Sequence, residues 1–152
     1  MNPSSPVTGA TVSGLTSPTY TLTADTYPDV NGKQWAITSL GGTQTGVTTH
    51  SVSSPFTIAV TRPKALKQLG AMNAQGQINN IGKNNYGLIL RKGATPAANQ
   101  PDQTILGRCE FGVPAGTDAY DPAEIKAAVS FMGGFLSANA DGIATMLLTG
   151  VL

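Results

Sequence analysis

Charge is what this 152-residue chain has least of: Asp, Glu, Lys and Arg make up 11% of it, under half the share usual in globular domains. Electrostatic repulsion therefore does little to keep copies apart, which favours assembly. Cysteine is limited to Cys109, so no intrachain disulfide can form; its apolar strand context predicts a buried thiol in a reducing compartment. The one histidine, His50, stands between Thr49 and Ser51 and reads as a loop residue with no ligand spacing to Cys109, so no metal site is expected. No G-x-S-x-G or comparable signature supports a catalytic triad. The glycine-rich stretch Gly41–Gly46 lacks the Lys-Ser/Thr of a phosphate loop. Asp118, Asp121 and Glu124 are explained as acids favoured at a helix start rather than as a carboxylate pair. These absences argue against an enzyme and against a cofactor. The N-terminus has neither a basic n-region nor an apolar h-region, and no apolar run reaches the length of a membrane span. The expectation is a soluble cytoplasmic protein with no membrane association.

The few charges are unevenly placed. Residues 1–101 hold seven Lys/Arg against two Asp/Glu, a balance of +5, and residues 102–152 hold two against six, a balance of −4. No acid lies between Val30 and Pro101, whereas Lys33, Arg62, Lys64, Lys67, Lys83, Arg91 and Lys92 do. Such a segment either meets phosphate on one surface or simply keeps an uncharged sheet soluble.

The length fits one domain with a real core. Residues 1–18, with three prolines, read as an extended arm, with a short strand at Ala10–Val12. Tyr20, Leu22 and Ala24 alternate with Thr19, Thr21 and Thr23, the pattern of a half-buried strand. The Asn31-Gly32 turn introduces a strand at Trp35–Leu40, with Trp35 in the core, broken by Gly41-Gly42. Gln44–Ser51 reads as a weak further strand. Phe56, Ile58 and Val60 alternate with Thr57, Ala59 and Thr61, and Pro63 stops that strand. A long aperiodic segment, 64–85, suggests a functional or interfacial loop. Strands follow over Tyr86–Arg91 and Ile105–Val113, with a Pro/Ala/Asn loop at 94–103.

Helical spacing begins at Asp121. Asp121 is a suitable N-cap, Pro122 fits the first helical position, and Glu124 stands where a capping box needs it, predicting a helix over 121–138. A second is predicted over 141–149, capped by Asp141 and stopped by Gly150. Strands first and helices after make an α+β chain. Ile125, Val129, Met132, Phe135 and Leu136 form one apolar face, each worth ~1.5–3 kcal/mol when buried. That helix needs an apolar surface to lie on, the sheet face bearing Phe56, Ile58, Val60, Tyr86, Leu88, Leu90, Cys109, Phe111 and Val113, whether its own or a neighbour's. Gly133-Gly134, unfavourable mid-helix, reads as room for another backbone. The face and the glycine pair predict a subunit completed by a partner.

The phrases SVSSPFTIAVTRP, NNYGLILRKG and GRCEFGVPAGTDAYDPAEIKAAVSFMGGFL, ending in TGVL, resemble the coat proteins of single-stranded RNA bacteriophages, the levivirus-like class. The likeness covers residues 51–152 by phrase and 19–50 by pattern. It implies a single coat-protein domain over 1–152: an arm (1–18), an N-terminal β-hairpin and five-stranded antiparallel meander (19–113), and a helical dimerisation segment (119–152). It further implies a homodimer whose helices reach across the partner, with Ile125, Val129, Met132, Gly133, Gly134, Phe135 and Leu136 at the interface. Dimers would close an icosahedral shell around the single-stranded RNA genome, alongside a phage maturation protein, after assembly in the bacterial cytoplasm. The sheet face opposite the helices would look inward and bind an RNA hairpin, repressing translation. Carried over by alternation, that face holds Thr57, Ala59 and Thr61, then Asn85, Gly87, Ile89 and Arg91, then Leu106, Arg108 and Glu110. Arg91 and Arg108 would meet phosphate, Thr57, Thr61 and Asn85 bases or sugars, and Lys64, Lys67 and Lys83 would add salt-sensitive attraction. Ala59, Gly87, Ile89 and Leu106 are poor hydrogen-bonding groups and depart from better-known members. The loop 94–103 lacks the cysteines with which some relatives cross-link subunits, so its contacts would be noncovalent.

A secreted Thr-rich carbohydrate-binding or adhesin-like β-domain is the competing reading. It accounts for the threonines but not for the C-terminal helices, and it calls for exposed aromatics and a secretion signal.

Overall fold

A computed structural model describes residues 1–152. Six strands form one antiparallel sheet in chain order: β1 (Val7–Thr8), β2 (Thr16–Asp25), β3 (Gly32–Thr43), β4 (Phe56–Thr61), β5 (Lys83–Ala94) and β6 (Gln103–Pro114). Three helices follow, α1 (Thr117–Tyr120), α2 (Pro122–Ala138) and α3 (Ala140–Thr149). The expected α+β arrangement is there, with N-terminal strands, one antiparallel meander and two substantial helices closing the chain. The sheet, however, starts inside the segment read as an arm: β1 is Val7–Thr8, β2 begins at Thr16, and the hairpin they make shares β2 with the five strands β2–β6.

Register fixes which side chains share a face, because alternate residues of a strand point to opposite sides. Trp35, Ile58 and Leu90 lie in one row, and Val60, Leu88 and Cys109 in the next. Tyr86 stands beside Phe111 on that same apolar side. The Tyr20 ring meets the Phe56 ring edge-on at 5.8 Å, and Lys92 sits 5.0 Å from the Phe56 centroid. The true core is small. Trp35 and Ile37 are buried under this side, while Cys109 is only half-buried, not sealed as its strand context suggests. The reason is that nothing from its own chain covers it.

Several local expectations are corrected. Ala10–Val12 is not a strand; only an isolated bridge joins Val12 to Leu15, and the arm's strand is Val7–Thr8. Gly41-Gly42 does not break β3, which runs on to Thr43. Gly42 adopts φ +72°, and a Cβ there would collide with the carbonyl oxygens of Ser17 and Thr16, so glycine lets the two strands bulge and stay paired. Gln44–Ser51 is a turn and loop: the Gln44 amide donates to the carbonyls of Thr19 and Gly41, and the His50 amide to that of Ile37. His50 is thus a half-buried loop residue whose Nδ1 accepts from the Phe56 amide at 3.1 Å.

At the helices, Asp121 is the N-cap of α2 and Pro122 its first residue, but no side-chain capping bond forms, because Asp121 also closes α1 with φ −139° and ψ 64°. Asn139, not Asp141, is the N-cap of α3. Asp141 lies in the first turn and accepts the Ser13 amide at 2.6 Å, tying the arm to the last helix. Gly150 ends α3 in the left-handed conformation, as expected. No helix is long and apolar enough to cross a membrane.

Candidate functional site: two faces of one sheet

The pairing face is built from α2. Ile125, Val129, Met132, Phe135 and Leu136 share the stripe that their spacing predicts, and the structure leaves it bare: no residue of any helix is buried. Ile125 is half-buried, whereas Phe135 remains 49% exposed. Phe131, which the stripe did not include, lies beside Phe135 with ring centroids 6.1 Å apart and is more exposed still. It belongs to the same apolar surface; its place one helical step off the stripe is the signal that could have found it. Gly133 and Gly134 have nothing from their own chain within 4 Å of a notional Cβ.

Between α2 and the sheet lies an open groove of ≈ 510 Å³, walled by Tyr86, Phe111 and Val113 on one side and Ile125, Ala128 and Val129 on the other. The helix is therefore poised beside its own sheet without closing on it. The sheet's apolar side stays half-exposed at Ile58, Val60, Leu88 and Cys109, beyond the buried Trp35 and Ile37, and the apolar stripe of the helix is left uncovered. The long β4–β5 loop borders this region: the buried Asn84 side chain accepts the Lys67 amide at 2.8 Å and donates to the Lys67 carbonyl at 3.1 Å, standing in for a strand partner. Leu66, Leu69 and Met72 on that loop are exposed.

The opposite face brings the predicted residues of β4, β5 and β6 together, whereas Lys64 and Lys67 stand apart from it on the β4–β5 loop, Lys67 held by Asn84 of the apolar side. Thr57, Arg91 and Leu106 form one row, Ala59, Ile89 and Arg108 the next, and Thr61, Gly87 and Glu110 the third, with Asn85 one position beyond. Lys83 begins β5 on the same side as Asn85, by alternation along the strand. Lys64 and Lys67 lie on the loop; Lys64 is 3.7 Å from Asp29, the single ion pair in the molecule.

These groups are not equally available. Nη1 of Arg91 donates to Oε1 of Gln34 at 3.4 Å, and Nε2 of Gln34 donates to Oδ2 of Asp25 at 2.6 Å. This chain links β5 to β2 across the intervening strands. Ala59 beneath it is 0% exposed and Thr57 3% exposed, with the Thr57 hydroxyl unpartnered. Thr57 is thus the predicted contact that the protomer hides. The Gln34 amide, then the Thr26 amide, hold the Asp25 carboxyl below the usual aspartate range. Sequence reading missed Gln34 and Asp25 because their partner lies far along the chain; only the register reveals it.

Neither a protein-family model nor a curated protein matches this sequence. Among solved structures, the chain is similar to the protein of the virus-like particle of bacteriophage ESE020, with 58% identity over 100% of this chain and 99% of that one and a TM-score of 0.97. It is also similar to the protein of the virus-like particle of Beihai levi-like virus 32, with 18% identity over 88% of each chain and a TM-score of 0.55, a likeness of fold alone. An unpartnered helical stripe, an apolar sheet face left half-exposed and a relative this close agree, and the chain belongs to the coat proteins of single-stranded RNA bacteriophages, as a structural subunit of their shells.

Proposed function

We propose that two copies of this chain interlock, each laying α2 and α3 over the apolar sheet face of the other, and that these dimers close an icosahedral shell around single-stranded RNA. The observation that carries this is the bare stripe of α2 facing a groove its own sheet does not close. The outer edge of β6 supports it: twelve residues long and with no proline before its last position, it offers unpaired backbone groups to a second β6, so that two sheets continue as one. The face bearing Arg91, Arg108 and Asn85 then looks inward and meets RNA, with Lys64, Lys67 and Lys83 adding attraction that weakens with salt. Thr61 and Asn85 supply neutral contacts to bases or sugars, and recognition of a hairpin on this face would repress translation. Assembly takes place in the bacterial cytoplasm, with a maturation protein as a further partner of the finished virion.

Expression of this chain alone in bacteria followed by electron microscopy tests the reading. Closed shells of uniform size containing host RNA are expected; a monodisperse monomer would overturn it.

A further inference from the structure

On the face opposite the helices lies a depression of ≈ 380 Å³ centred on Gly87. It exists because Gly87 is the one position in its row without a side chain: Thr61 stands beside it on β4 and Glu110 on β6. These two flanking strands lie ~9.5 Å apart, twice the usual strand spacing. A Cβ at Gly87 would come within 2.7 Å of Oγ1 of Thr61, so any other residue fills the notch. Ile89 gives it an apolar wall and Asn85 a polar one.

The chemistry of the rim is specific. Glu110 and Arg108 project from the same side of β6 two residues apart, ~6.7 Å along the strand. Both are exposed, and neither belongs to the molecule's single ion pair, Lys64–Asp29. Arg91, by contrast, is already engaged by Gln34. A carboxylate accepts through two oxygens and donates nothing, whereas a guanidinium only donates, through a planar fork. The two together fit a flat ligand with adjacent donors on one edge and adjacent acceptors on another. Among the RNA bases, guanine has that pattern: N1–H and N2–H₂ for a carboxylate, O6 and N7 for a guanidinium.

We propose that this notch is a subsite for one unpaired guanine of single-stranded RNA, with Glu110 reading its donor edge, Arg108 its acceptor edge and Gly87 forming the floor. The proposal rests on the inward, RNA-facing reading of this sheet and adds a base preference to it.

The test is binding of the full-length protein to a nonamer of adenosines and to the same nonamer with a single central guanosine. The guanosine oligomer is expected to bind ~5–100-fold tighter, the range for one well-made bidentate base contact. Central inosine, which keeps O6 and N7 but lacks N2–H₂, should fall between the two. Glu110→Gln should abolish the preference and leave oligoadenosine binding no weaker. Gly87→Ala, which fills the notch without touching a charge, should do the same, and circular dichroism identical to the parent confirms that each variant is folded. Equal affinity for the two oligomers, or a preference that survives both substitutions, overturns the guanine subsite alone. Failure of every oligomer to bind at low salt overturns the RNA-facing reading with it.

Discussion

Replacing Phe135 with Ala removes one ring from the stripe of α2 and leaves the protomer almost untouched. Phe135 is 49% exposed, and the aromatic packed closest to its ring is Phe131 on the same helix. A Phe side chain buries 150–250 Å², so ~75–120 Å² of this one waits to be covered by a partner. At ~25 cal/mol per Å² that area is worth ~2–3 kcal/mol. The ring occurs twice in a symmetric pair, so Phe135→Ala should weaken dimerisation by ~4–6 kcal/mol, or ~10³–10⁴-fold in dissociation constant. Dilution of fluorescently labelled protein, followed by anisotropy, measures that constant, and far-ultraviolet circular dichroism at a concentration where the variant is still dimeric checks that the helices form. A change smaller than about threefold, with helices intact, would refute the claim that α2 is buried against a second copy.

Gly134→Ala should favour the isolated helix by ~1 kcal/mol, since nothing surrounds the position in the protomer; Gly133→Leu and Gly134→Leu should block dimerisation if a partner backbone comes close there, and unchanged sedimentation would remove that explanation. Changing Arg91 and Arg108 to Glu should lower packaged RNA, read from the 260/280 nm absorbance of purified particles, more than it lowers particle yield; equal losses would place both residues in folding instead. Asn84→Ala strips the Lys67 backbone of both hydrogen bonds from that side chain, costs ~1–3 kcal/mol, and should open the segment 64–82 to limited proteolysis. Because the Asp25 pKa is lowered on folding, its contribution is complete above the ordinary value of 3.8 and is lost as pH falls through the lower folded value. The side-chain amide resonances of Gln34 should therefore titrate below pH 3.8, and Asp25→Asn should abolish that titration.

How far the sequence carried this structure depends on how far each determinant reaches along the chain. The alternation of Phe56, Ile58 and Val60 placed β4 at its observed bounds, and Asp121-Pro122 and Gly150 marked helix ends, because strand faces and caps are written within a few residues. The Thr- and Val-bearing segment 44–51 has the composition of a strand but is a loop, its backbone held by a turn from the Val47 amide to the Gln44 carbonyl and by the His50 amide bond to the Ile37 carbonyl rather than by a ladder. Gly41-Gly42 looked like a stop and instead accommodates a bulge, a feature that only the partner strand defines. The two faces of the sheet followed from alternation alone. What alternation could not supply was the difference between Arg91, held by Gln34, and Arg108, free beside Glu110, because that depends on a neighbour 57 residues away. Phe131 escaped notice because it sits at the border of the stripe.

The central claim is that the protomer is unfinished and that a second copy finishes it. Sedimentation velocity of the unaltered chain in a dilution series to nanomolar, with circular dichroism at each step, puts that to the test most directly. The smallest folded species should be a dimer, with helical signal lost as it dissociates. A folded monomer that keeps its full helical signal at the lowest concentration would contradict the account.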